Sequence, residues 1–173
     1  MRETPETNVM YLPEGPAHPG RATLDAFYAA ARMANRELTL GDDYNVRWIG
    51  LDADTTQQIF ELIRARDKTG TFTLPWICER TGQPEPKVGD RLILIDMNGK
   101  PTMLVRLTRV YMTLFGRVTA TDTAVDGSPV RDPAVWVPLH TQYWNELLRP
   151  FGLAVTENMP FWVEQFELLY DAG

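Results

Sequence analysis

Residues 91–112, RLILIDMNGKPTMLVRLTRVYM, constrain this chain more than any other stretch. Two apolar, largely branched runs, 92–95 and 102–112, flank Met97-Asn98-Gly99-Lys100. Asn and Gly tolerate the left-handed backbone that tight turns require, and apolar runs on either side give the turn two strands to join. An antiparallel hairpin, 91–96 with 102–112, is therefore expected. Whatever else the chain does must be arranged around it.

Leu24, Phe27, Tyr28, Ala31 and Leu38 fall at helical spacing, with Thr23 suited to the N-cap and Gly41 to the stop, so a helix is expected over 23–38. A short strand follows at 46–51. Asp54 or Thr55 then caps a helix over 56–66 whose Ile59, Phe60, Leu62 and Ile63 form a core face. Further strands are expected at 69–74 and 161–170, and a short helix over 114–124. A Pro- and Gly-rich loop fills the interval before Pro86-Lys87-Val88-Gly89-Asp90. Asp132-Pro133 opens a longer helix ending near Arg149, with Pro at its first position. Five strands with few helices between them predict an α+β fold built on a small mixed sheet or half-barrel. Residues 1–22 read as a flexible arm, 23–45 as a helical extension and 46–173 as the main domain.

Composition excludes several classes. The 173 residues contain one cysteine, Cys78, and two histidines, His18 and His140. No internal disulfide can form, and no zinc site of ordinary composition can be assembled. The single cysteine suits a cytoplasmic setting, and the Pro-rich N-terminus lacks the apolar core of a secretory signal. No apolar run approaches the roughly 20 residues of a membrane-spanning helix. The net charge of −6 argues against a general polyanion-binding surface. Residues 47–117, however, hold eleven Lys and Arg against eight Asp and Glu, so the middle is locally basic between acidic ends. Oligomeric state is left open by the sequence.

The segment most suggestive of chemistry is Lys68-Thr69-Gly70-Thr71-Phe72-Thr73. A lysine desolvated in a cleft loses basicity, so part of it is neutral amine able to accept a proton from a nearby hydroxyl. Residues i and i+3 of a regular strand point to opposite faces, so Lys68 and Thr71 converge only if the backbone departs from a plain strand near Gly70. Structural readings stand beside these. Lys68 also suits the C-terminal carbonyls of the preceding helix. The threonines suit a strand for their β-branching alone, and Asp126-Gly127 suits a turn. His140 suits a hydrogen-bonded core position. Trp76, Trp136 and Trp144 suit either a core or a base-stacking surface, and Arg66 and Arg80 suit either solvent or the rim of a basic cleft.

Several of these residues resemble a known family. Lys68-Thr69-x-Thr71 after a helix is similar to the opening of ASCH-domain proteins, and Pro86-Lys87-Val88-Gly89-Asp90 before an apolar strand is similar to a later motif. Phe115, Asp126-Gly127, Trp136-x-x-x-His140 and the closing Phe166-Glu167-Leu168-Leu169-Tyr170 follow in the family's order, so the resemblance spans about 46–170. It implies a PUA-like mixed β-barrel flanked by helices, here with an extra N-terminal helix, and no cofactor. It implies three functions: amide hydrolysis on N4-acetylcytidine, non-catalytic binding of RNA, and RNA cleavage. For the hydrolase, it implies Lys68, Thr71 and Asp126 as the catalytic group, with no metal. Thr69, Thr73, Arg66, Trp76, Arg80, Trp136 and His140 are then expected to bind a modified nucleoside or a short single-stranded RNA. The family usually has Gly where Arg66 stands, and Glu where Asp126 stands. Asp126 is one methylene shorter and reaches less far toward the lysine.

Overall fold

A computed structural model describes residues 15–173. The arm expected at 1–22 therefore lies outside the described residues for positions 1–14. Helix α1 spans Arg21–Ala34 and starts two residues before the expected Thr23, with Gly20 as its cap. Strand β1 is Asn45–Arg47, helix α2 Ala53–Arg64 and strand β2 Gly70–Thr73. Helix α3, Pro75–Thr81, occupies the interval expected to be loop. Its Pro75 sits at the helix start, where a missing N–H costs nothing, and Gly82 closes it in the left-handed region at φ 73°.

The central hairpin forms as expected, with β3 at Arg91–Ile95 and β4 at Pro101–Leu114. Only Gly99 of the turn is left-handed, at φ 77°. The Asp96 carboxylate accepts the N–H groups of Asn98 and Lys100 at 2.8 and 2.9 Å and holds the turn together. The helix expected over 114–124 is corrected to a single 3-10 turn at 115–117 and a four-residue α4, Ala120–Thr123. Thr113 and Leu114 remain in the ladder, opposite Phe161 and Pro160. Helix α5 is Pro133–Leu148 and strand β5 Pro160–Asp171.

The five strands form one mixed sheet in the order β1-β3-β4-β5-β2. The β1–β3 ladder is parallel and the other three are antiparallel. Helices on both faces explain why residues 92–95 are all apolar rather than alternating. Ile93 and Ile95 pack with Leu24, Tyr28 and Ala31 of α1, whereas Leu92 and Leu94 pack with Phe60 and Ile63 of α2. All four are buried, and each such side chain contributes roughly 1.5–3 kcal/mol. A third, aromatic core lies at the other end of the sheet, where Trp136, Trp144 and Leu148 of α5 meet Phe161, Val163 and Leu74.

The ladder between β4 and β5 is interrupted twice, between Leu104 and Val105 and between Leu107 and Arg109. Such irregularities bend a strand and increase its twist. The sheet curls accordingly. In a flat sheet β1 would stand three ladder steps, roughly 14 Å, from β5. Yet Arg47 Nη1 of β1 donates to Glu164 Oε2 of β5 at 2.6 Å, and Nη2 lies 2.6 Å from Oε1. This buried pair draws the open side of the half-barrel together. No helix among the described residues is long and apolar enough to cross a membrane.

Candidate active site

Helix α2 ends in a paired turn. Arg66 N–H donates to Ile63 O at 3.0 Å and Asp67 N–H to Leu62 O at 2.9 Å, with Arg66 left-handed at φ 58°. This reverses the chain and aims Lys68 inward. The Lys68 backbone N–H still serves the helix end through Leu62 O at 3.1 Å, but its side chain turns away from the helix carbonyls. Its Nζ donates to Asp126 Oδ1 at 2.7 Å, and both residues are buried. The shorter carboxylate thus reaches the lysine, correcting the expectation from its length. Asp126 Oδ1 also accepts the Gly127 N–H at 3.0 Å.

The loop carrying Asp126 is fastened to the same turn. Asp67 accepts from Ser128 N–H at 2.9 Å and pairs with Arg131, whose guanidinium also donates to Asp67 O. The Ser128 N–H, then Arg131, hold the Asp67 carboxyl below its usual range. Thr69 N–H donates to Val125 O at 2.8 Å and adds a backbone rung beside the ion pair. Gly70 is needed here for closeness rather than for an unusual dihedral. A Cβ at this position would stand 2.5 Å from Glu164 O and 2.7 Å from Val125 Cβ. The regular strand begins only at Gly70, so Lys68 is free of the alternation that would separate it from Thr71.

Lys68, Asp126, Thr71, Thr73 and His140 line one cavity of about 360 Å³, within the range of small-molecule sites. Its walls are mainly apolar, with Trp48, Ile59, Phe72, Ile77 and Trp144 among them. The Thr71 hydroxyl has no hydrogen-bond partner among the described residues. Thr73 Oγ1 donates to Glu164 Oε2 at 3.0 Å, on the same carboxylate that holds Arg47. Arg47, Cys78, Gln83 and Tyr143 also line the cavity, and none stands out in the sequence. Burial pushes the Cys78 thiol up to about 11, so it stays protonated and unreactive at neutral pH.

His140 lies stacked on Trp136, with ring centroids 4.0 Å apart. Its Nδ1 sits 3.0 Å from Trp136 O. A carbonyl only accepts, so Nδ1 carries the hydrogen and Nε2 is the acceptor. Desolvation lowers its pKa to about 4, against the opposing pull of Asp126, and the ring is neutral at pH 7.

The other expected binding residues stand elsewhere. Trp136 is fully buried in the aromatic core, and Trp76 packs against that core. Arg80 is exposed and donates to Trp76 O at 3.1 Å. Arg66 is exposed because the left-handed turn throws its side chain outward. Thr69 spends its backbone on the ladder and does not line the cavity. Among the described residues no group of three or more His, Cys, Asp or Glu could hold a metal ion.

A curled mixed sheet between helices, carrying a buried lysine–carboxylate pair in the wall of a ligand-sized cavity, defines a small α+β protein with a single-ligand site. Residues 47–170 match the ASCH domain model, and the chain belongs to the ASCH domain family. Its fold is similar to that of the ASCH domain from Lactobacillus crispatus JV V101, with a TM-score of 0.71 at 19% identity over 87% of this chain and 93% of that one. It is also similar to protein EF3133 from Enterococcus faecalis V583, with a TM-score of 0.74 at 21% identity over 87% and 89% of the two chains. At these identities the likeness concerns the fold alone. No curated protein matches the chain.

Proposed function

We propose that this protein is an amidohydrolase acting on N4-acylated cytosine nucleosides such as N4-acetylcytidine. The observation that carries the reading is the Lys68–Asp126 pair, buried at 2.7 Å in the wall of a mainly apolar cavity that also holds the unpartnered Thr71 hydroxyl. Burying an ion pair generally adds little to stability and often reduces it, so its place at a cavity favours a chemical role. The cavity's size and aromatic walls suit a single base better than an extended strand. Arg47, which lines the cavity, is already paired with Glu164, and Arg131 on the Asp126 side is paired with Asp67.

In this mechanism Lys68 and Asp126 share one proton. Its movement onto the carboxylate leaves a neutral amine, which takes the Thr71 Oγ proton as that oxygen attacks the acyl carbonyl carbon. Collapse of the tetrahedral adduct breaks the C–N bond, and the proton returns to the leaving nitrogen to give the free amine of cytidine. Water then cleaves the acyl ester on Thr71 to release acetate.

The test is incubation with N4-acetylcytidine, following loss of the acylated-cytosine absorbance. Turnover is expected from the native chain and none from Thr71→Val or Lys68→Ala. The lysine variant strands a buried carboxylate, at a cost of about 3–5 kcal/mol, so its fold is checked by circular dichroism. Full turnover in Thr71→Val would end this mechanism. No turnover in the native chain, with salt-sensitive retention of a short oligonucleotide, would favour RNA binding instead.

A further inference from the structure

Polar groups enclosed by protein are normally hydrogen-bonded, so those without a protein partner mark places where something else binds. One donor of this kind lines the cavity, joined by one unpartnered hydroxyl on a part-buried residue. Gln83 Nε2 is buried without a partner, and its amide oxygen lies 4.0 Å from Cys78 Sγ, on the side where Cys78 feels the charges of Arg47 and Glu164. The Tyr143 hydroxyl likewise makes no hydrogen bond among the described residues, although its ring packs against the aromatic core. Tyr143 follows His140 by three residues on α5, which puts the two side chains on one helix face about 5–6 Å apart at Cβ. His140 feels the charges of both Asp126 and Lys68. Of the two unpartnered donors, Tyr143 is therefore the one at the Lys68–Asp126 end.

We propose that Tyr143 donates its hydroxyl hydrogen to the acyl carbonyl oxygen of the substrate and holds the charge that develops there during attack. This rests on the amidohydrolase reading. As Thr71 Oγ bonds to the carbonyl carbon, the π pair moves onto oxygen, and the O–H···O⁻ bond strengthens in the transition state. No bond to Tyr143 forms or breaks. Burial pushes the phenol up to about 12, so the group stays a donor at neutral pH. Its neighbour His140, with Nδ1–H given to Trp136 O, offers Nε2 as an acceptor. One face of α5 thereby presents a donor for a carbonyl and an acceptor for an N–H, the two complements of a single secondary amide. The ligand class is a neutral N-acyl amine, since a phosphate has no N–H to give.

The test removes one oxygen, with Tyr143→Phe. For N4-acetylcytidine turnover, kcat is expected to fall about a hundredfold while KM rises no more than about fivefold. A second readout is independent of turnover. In a Thr71→Val background, tryptophan fluorescence titration is expected to show that adding Tyr143→Phe weakens N4-acetylcytidine about fivefold and leaves cytidine unchanged. Equal weakening of both ligands, or of neither, overturns the proposal. A native chain without turnover that still shows the selective weakening ends the hydrolase reading and keeps Tyr143 as the carbonyl receptor. Turnover that is unchanged by Tyr143→Phe ends the inference and keeps the reading. If neither nucleoside binds, both fall.

Discussion

A histidine that is neutral in the folded chain and ordinary in the unfolded one makes stability depend on pH. His140 falls from 6.5 to about 4 on burial, so between these values the unfolded chain binds the extra proton. Its contribution is complete above about pH 6.5 and is lost as pH falls toward 4, on the order of 3 kcal/mol over the window. Urea titrations across this range are expected to show a falling midpoint, and His140→Gln is expected to flatten that slope. A slope unchanged by the substitution would assign the loss to other groups. Arg66 is strained differently. Among the described non-glycine residues it alone has a positive φ, at the position where a helix-ending turn favours glycine. Arg66→Gly is expected to stabilise the fold by about 1 kcal/mol, read as a higher urea midpoint at unchanged slope.

At the scale of elements, the hairpin, the three longer helices and the last strand were legible because their signals are local. Asn98-Gly99, the spacing in α1 and α2, and Asp132-Pro133 each act within a few residues. Helix α3 was not legible, because Pro75 and Gly82 read equally as loop residues and as helix ends. The site divides in the same way. Lys68, Thr71, Thr73, Asp126 and His140 were found from motif order, and the structure places them around one cavity. Arg47, Gln83, Cys78 and Tyr143 were missed because nothing in their immediate neighbours marks them. Arg47 and Glu164 lie 117 residues apart, and only the curl of the sheet makes them partners. Trp136 attracted attention as a stacking surface, but its burial follows from α5 lying across β5 with its aromatic residues inward.

At the scale of the whole molecule, the Arg47–Glu164 pair closes the half-barrel across three ladders. Arg47→Met alone is expected to cost about 3–5 kcal/mol, since it removes the ion-pair partner of the buried Glu164. Replacing both with apolar residues is expected to recover much of that loss, and a double-mutant cycle of urea midpoints measures the coupling. Independent, additive losses would show that the pair does not hold the sheet closed. The strand order also bears on how the protein is made. Strand β2 borders only β5, and Thr71 pairs with Glu164, some ninety residues later in the chain. A ribosome therefore delivers Lys68 and Thr71 long before the strand that seats them. A nascent chain halted short of residue 160 carries every residue that lines the cavity but lacks the strand against which β2 pairs, so its Lys68 and Thr71 wait unseated for β5.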